Sequence, residues 1–297
     1  MMFIINNKKI FITISVILVI VAIISIIVFK PVLGVDFRGG SLLEIEYTSA
    51  RPYPAALKEA LKSSGLEPTI QPMGERGYIL KTRELTETEH QSFLQTLNLN
   101  GSAELKEKSF TSIGPSVGKE LRRKAVVSMI VVILAIITYI AYAFRKVSRQ
   151  VSSWKYGIIA VIALVHDVII PSGIFAWLAH YYGAEVDTLF VVALLTILGL
   201  SVSDTIVVFD RIRENLNEKK FPTFEETVGR SLEQTYQRSI NTSVTVILVL
   251  LSLVFFGPES TKYFALTLTT GMFFGTYSSI FLASPLLVLW AERGRKK

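Results

Sequence analysis

A chain of 297 residues with 51% hydrophobic and only 19% charged residues, and a mean hydropathy of +0.47, is too apolar for a soluble domain; such domains carry about a quarter charged residues. The net charge of +7 is spread over separate short loops rather than gathered into a patch, so no nucleic-acid partner is expected. With no cysteine and three scattered histidines, His90, His166 and His180, neither a disulfide nor a metal site is expected, and no cofactor.

The first element is an uncharged run, Ile10–Phe29. At about 1.5 Å per residue it crosses a hydrocarbon core of roughly 30 Å. Its length, and Lys30-Pro31 where small cleavage-site residues would stand, mark a retained helix rather than a cleaved signal. A polar stretch follows, from Lys30 to Arg123. Leu42–Tyr47 alternates as a strand does, and Pro54–Ser64, bounded by Gly65, has a helical start and stop. Thr69–Gln71 and Tyr78–Thr82 are short strands around a Met73–Gly77 turn. Thr86-Glu87-Thr88-Glu89 is a capping box opening a helix to Leu97, and Ala103–Phe110 closes the stretch as a strand. The order β-α-β-β-α-β is the ferredoxin-like arrangement. It carries no catalytic constellation and reads as an interaction module.

Five more apolar runs follow, at Ala125–Phe144, Tyr156–Leu178, Leu189–Phe209, Ile240–Phe256 and Tyr263–Trp290. Lys8 and Lys9, then Arg145, Lys146, Arg149 and Lys155, then Arg293, Arg295, Lys296 and Lys297 fall on one side. The loops near His180–Asp187 and Gly257–Lys262 offer only Lys262. By the positive-inside rule both termini are cytoplasmic and residues 30–123 are extracytoplasmic. The expectation is an α-helical polytopic membrane protein with six transmembrane helices and an inserted α+β ferredoxin-like extracytoplasmic domain. Its parts are 1–29 (N-terminus and first span), 30–123 (inserted domain), 124–290 (five further spans) and 291–297 (basic tail).

Only two spans carry ionisable groups deep inside. Asp204 lies roughly 8 Å within the hydrocarbon if Phe209 marks the boundary. A carboxylate there costs at least about 2.5 kcal/mol and usually marks a function or a partner. His166-Asp167 lies near mid-bilayer, and Pro171 removes the donor to the Asp167 carbonyl, predicting a kink beside it. The pair either bonds neighbouring helices or takes part in ion or proton movement. In the fifth span Arg238, Asn241, Thr242 and Thr245 share one helix face. Arg238 either snorkels to the interface or reaches Asp204, where burial and an opposite charge pull a carboxyl's ionisation in opposite senses. Thr267, Gly271, Gly275 and Ser279 form a small-residue packing seam. Asp210–Gln237, with Phe224, Val228 and Leu232 at helical spacing, is a short amphipathic surface helix or a solvated connector.

These motifs together resemble the SecF family of bacterial protein-translocation membrane subunits. The similarity runs in order along the chain through Gly34-Val35-Asp36-Phe37-Arg38-Gly39-Gly40, Gly114-Pro115-Ser116-Val117-Gly118, His166-Asp167, the Asp204–Asn215 signature, and Arg238 with Thr242-Ser243. Ser203 departs from the asparagine expected before the aspartate. The resemblance implies pairing with SecD, and two six-helix halves like a resistance-nodulation-division transporter. It implies use of the proton-motive force, with no other cofactor, to draw preproteins from the SecYEG channel across the bacterial inner membrane. The family's proton-path aspartate and arginine fall on Asp204 and Arg238, with Asp167 and His166 as further relay candidates and Asn241, Thr242 and Thr245 as supporting polar groups. Membrane lipids are the remaining contact. The alternatives are a proton-driven half-transporter of lipids or small molecules, and an intramembrane aspartyl protease using Asp167 and Asp204. The latter lacks a Gly-x-Gly-Asp approach to its aspartate.

Overall fold

The structure is a computed structural model that describes residues 1–62, 65–101, 103–143 and 153–295. Arg145, Lys146, Arg149, Lys296 and Lys297, invoked for orientation, lie outside the described residues, as do Phe144 and the helix end at Ser63 and Ser64. The chain divides into two compact units. One comprises Met1–Val32, Ser128–Ala184 and Leu189–Lys297; the other comprises Leu33–Val127 and Glu185–Thr188.

A one-turn helix α1 (Met2–Asn6) leads into α2 (Lys8–Phe29), which ends in a left-handed Lys30. The second unit then runs α3 (Val35–Arg38), β1 (Gly40–Tyr47), α4 (Pro54–Lys62), β2 (Thr69–Met73), β3 (Gly77–Thr82), α5 (Glu87–Leu97) and β4 (Leu105–Ile113). The strands form one antiparallel sheet in the order β2-β3-β1-β4. Period-two alternation decides which face is buried: Leu43, Ile45 and Tyr47 of β1 and Tyr78 and Leu80 of β3 turn inward. They meet Leu57 and Leu61 of α4 and Phe93 and Leu97 of α5, each at most 1% exposed. The buried Tyr47 hydroxyl donates to the Leu97 carbonyl at 3.0 Å. At the start of α5 the capping box forms as expected, with Thr86 and Glu89 bonding each other's backbone N–H. Hydrogen bonds from Arg83 and Thr86 hold the Glu89 carboxyl down to about 2.

The two glycine motifs of this unit prove to be one contact. Gly40 has a φ of +140°, and a Cβ there would lie 2.6 Å from the Thr82 carbonyl oxygen. A Cβ on Gly118 would lie 2.9 Å from the Gly39 nitrogen. Backbone therefore packs on backbone, which only glycine permits.

The helical unit continues with α6 (Pro115–Ala143, which begins in the other unit), α7 (Ser153–Tyr182), α8 (Thr188–Asn217), α9 (Phe224–Phe256), α10 (Glu259–Ser278) and α11 (Ser284–Arg295). A π-helical stretch, Ser279–Ala283, joins the last two without a break. Among the described residues six helices are long and apolar enough to cross a membrane: α2, α6, α7, α8, α9 and the α10–α11 rod. α7 runs unbroken through Pro171.

The Asp210–Gln237 stretch is not a separate surface helix. α8 extends to Asn217 and α9 begins at Phe224, leaving only residues 218–223 between them. The apolar stripe Phe224, Val228 and Leu232 is at most 2% exposed because Ile5, Tyr156 and Phe209 cover it. An amphipathic face that finds protein cover extends a helix instead of lying on a surface. Asn215 pins the two ends, donating to Ser231 at 2.8 Å and Gln234 at 2.9 Å. The small-residue seam packs α10 onto α8. Gly271 lies flush against Ile197, and a Cβ on Gly275 would sit 3.2 Å from that of Ser201.

Candidate functional site

The seam between α8 and α10 brings two separate carboxylates into hydroxyl-lined settings within the helical unit. On α7, Asp167 is 0% exposed. Its Oδ1 lies 2.8 Å from His166 Nδ1, and its Oδ2 accepts from Ser278 of α10 at 2.7 Å and from Ser201 of α8 in a very short contact. Three helices thus converge on one side chain. His166 stacks on Tyr277, with centroids 6.0 Å apart, and its buried Nε2 has no hydrogen-bond partner among the described residues.

Asp204, one helical face further along α8, is only partly buried. Its Oδ1 accepts from Ser239 of α9 at 3.1 Å and its Oδ2 from Thr276 of α10 at 3.3 Å. Ser243 of α9 completes the chain by a short hydroxyl contact with Thr276. Next to Asp204 in the chain, Thr205 shares a 2.9 Å hydrogen bond with Ser279. Hydroxyls therefore hold both oxygens of Asp204 and one oxygen of Asp167, whose other oxygen meets His166, and hydroxyls rotate and can either donate or accept.

No ion pair joins Arg238 to Asp204 among the described residues. The Arg238 side chain lines a cleft of about 310 Å³ between α8 and α9, together with Val207, Asp210, Arg211, Glu214 and Gln234. Asn241, Thr242 and Thr245 share the exposed face of α9 with Arg238, and Thr245 donates to the Thr242 carbonyl at 2.8 Å. The α9 group that bonds Asp204, Ser239, lies on the adjoining face, where it and Ser243 are buried. The serines and threonines that hold both aspartates escaped the sequence reading. Their only signal was a run of hydroxyl residues in the last span, which packing alone accounts for.

No hydrogen bond links Asp167 to Asp204 among the described residues, and each has its own set of hydroxyls. What the fold and site define is a polytopic membrane protein with two solitary carboxylates inside its helices and one inserted α+β domain.

Comparison with known proteins gives the family. Residues 94–293 match the family described as protein export membrane protein SecD/SecF, C-terminal, and residues 24–50 match the SecD/SecF GG motif. A protein translocase subunit SecF from Thermobaculum terrenum is 42% identical over 95% of this chain and 92% of its own length. The SecF of Anaerolinea thermophila is 36% identical over 98% of this chain and 94% of its own. The crystal structure of SecDF, a translocon-associated membrane protein from Thermus thermophilus, superposes with a TM-score of 0.83 at 30% identity. That match takes in 97% of this chain and 38% of the longer SecDF chain. The chain belongs to the SecD/SecF family of protein-export membrane proteins.

Proposed function

We propose that this chain works as the SecF subunit of the Sec preprotein translocase, pairing with SecD and using the proton-motive force to promote export through SecYEG. It is a multi-pass membrane protein whose relatives are named translocase subunits. Residence in a bacterial inner membrane with both termini cytoplasmic follows from this role and from the basic loops. The role calls for no enzymatic chemistry and no cofactor besides protons. The fused SecDF relative of Bacillus subtilis supports a SecD partner, since this chain matches 38% of its length at 30% identity. So does the face left open on the lone chain. Ser203 of α8 and Arg238, Asn241, Thr242 and Thr245 of α9 are exposed there, and a polar stripe within a bilayer must meet protein or water.

The observation that carries the proton reading is the setting of Asp204. It sits partly buried in an apolar helix, held among the described residues only by hydroxyls, and a polar cleft lined by Arg238 begins a turn away. A carboxylate clamped by an arginine would stay ionised, and one sealed in hydrocarbon would stay neutral. This one is partly exposed, and a cleft lined by Arg238 begins one turn from it. One charge crossing 100 mV supplies about 2.3 kcal/mol, enough to bias a two-state bundle by tens-fold. Proton binding weakens the pull of Arg238, and α8, α9 and α10 repack around the freed hydroxyls. Asp167 and His166 hold the neighbouring junction of α7, α8 and α10, against which that repacking takes place. The inserted domain engages the emerging preprotein.

The test is export in vesicles reconstituted with SecD and SecYEG. Asp204→Asn keeps the size and an acceptor oxygen but cannot exchange a proton. Gradient-dependent export should vanish while co-purification with SecD persists. Full export at matched expression would refute the proposal.

A further inference from the structure

The connector Glu185–Thr188 clusters with the sheet-containing unit, although α8, which starts at Thr188, otherwise belongs to the helical unit. What holds the connector is the Gly34–Gly40 segment. Leu33 and Val186 form a parallel bridge, and the Gly34 N–H donates to the Val186 carbonyl at 2.8 Å. Asp36 Oδ2 accepts from the Thr188 N–H at 2.9 Å, across 152 positions of sequence. Glu185 faces Lys81 of β3 at 3.2 Å, with side chains 17% and 13% exposed, and Arg38 at 3.8 Å.

These contacts are of three kinds on four consecutive residues, and each has a physical reason to persist. A carboxylate at a helix start satisfies an N–H that has no partner within the helix and opposes the positive end of the helix dipole. An enclosed ion pair is expensive to break because parting leaves a desolvated charge. The main-chain bridge fixes the register between them. Thr188 is the first residue of the helix that carries Asp204, about 24 Å further along it.

We infer that the Asp36–Thr188 and Lys81–Glu185 links form a strap through which axial movement of α8 is delivered to the sheet of the inserted domain. Asp36, Lys81 and Glu185 are thus positioning residues for energy coupling. They handle no proton. The strap rests on the proton-driven reading above and adds to it a route through the aspartate's own helix, beside the covalent routes through α2 and α6. A strap of this kind stays closed throughout the cycle, because it carries force only while its two segments remain joined.

The experiment uses the complete complex in vesicles and measures gradient-dependent export and proton flux side by side. Asp36→Ala removes the acceptor at the start of α8. Export should fall about tenfold, within the range of ordinary coupling energies, while proton flux stays at the wild-type level. Asp36→Asn restores export, since its amide oxygen accepts the same bond. Glu185→Gln, which loses both ion pairs at constant size, gives the same split between export and flux by an independent route. The paired change Leu33→Cys and Val186→Cys, in a chain with no other cysteine, leaves export unaffected when crosslinked. Wild-type export in both Asp36→Ala and Glu185→Gln overturns the strap, and so does loss of proton flux in step with export in both. Arrest of export by the crosslink overturns it too. Wild-type vesicles whose export ignores the gradient would defeat the functional reading instead.

Discussion

Asp167 is fully enclosed, and its oxygens are taken by a histidine on its own helix and by serines from α8 and α10. Asp204 is partly open, meets one serine and one threonine, and has a polar cleft lined by Arg238 a turn away. Both are carboxylates in apolar helices, and the sequence makes Asp204 the leading candidate for proton traffic with Asp167 a further one. Their surroundings part them. A side chain that three helices share cannot change its bonding without disturbing all three, whereas one at the edge of the bundle can change partners locally. On the proposed reading, burial with complete satisfaction suits a junction and partial burial suits a carrier.

The largest effect expected from this contrast is functional. Asp204→Asn abolishes gradient-dependent export, and Asp167→Asn retains most of it, because an amide still bonds two rotatable serine hydroxyls. Loss of export in both variants to the same degree would erase the distinction. The next effect is structural. Asp167→Leu leaves Ser201, Ser278 and His166 without their partner, at about 1–3 kcal/mol for each buried polar group. It should lower the thermal midpoint of the detergent-solubilised protein far more than Asp204→Leu, because Asp204 is itself partly exposed and Thr276 keeps a second partner in Ser243. Third, Gly271→Val forces α10 away from Ile197 on α8 and costs about 1–3 kcal/mol by overpacking. Melting should fall while Gly199→Ala, with open space around it, changes nothing measurable.

How far the sequence led differs between the two units. In the inserted domain the signals are local: alternation in Leu42–Tyr47, Gly65 after α4, and Thr86 with Glu89 at α5 each fix an element within a few residues. The sheet order then follows from the β-α-β-β-α-β succession. In the helical unit, Asp204 and Asp167 stand out because a carboxylate in an apolar run is rare. Their partners do not, because serine and threonine are ordinary in such helices and commonly bond their own preceding turn. α9 illustrates the limit. Arg238, Asn241, Thr242 and Thr245 make a conspicuous stripe, yet it is Ser239, one position on, that bonds Asp204, and Ser243 that bonds Thr276. Periodicity reveals that a polar face exists, and packing against α10 decides which one meets the core. The Phe224–Leu232 stripe likewise looks the same whether a membrane surface or other helices cover it.

The smallest effect lies in the inserted domain. Thr86→Ala removes a helix cap worth about 1 kcal/mol, so amides of α5 should exchange about fivefold faster in the full chain. Glu89, whose carboxyl is held down to about 2 by Arg83 and Thr86, supports this helix start above the ordinary carboxylate range near 4.3. That support is lost as pH falls toward 2, so the protection of α5 amides, taken against the intrinsic exchange rate at each pH, should fall on acidification in the wild type and less so in Glu89→Gln.

The most direct test of Asp204 as the proton carrier is an infrared difference spectrum of the reconstituted complex between two pH values. A carboxyl band that appears on proton uptake should vanish in Asp204→Asn and survive in Asp167→Asn. A band that persists in Asp204→Asn, or disappears only with Asp167, would place the exchanging proton elsewhere.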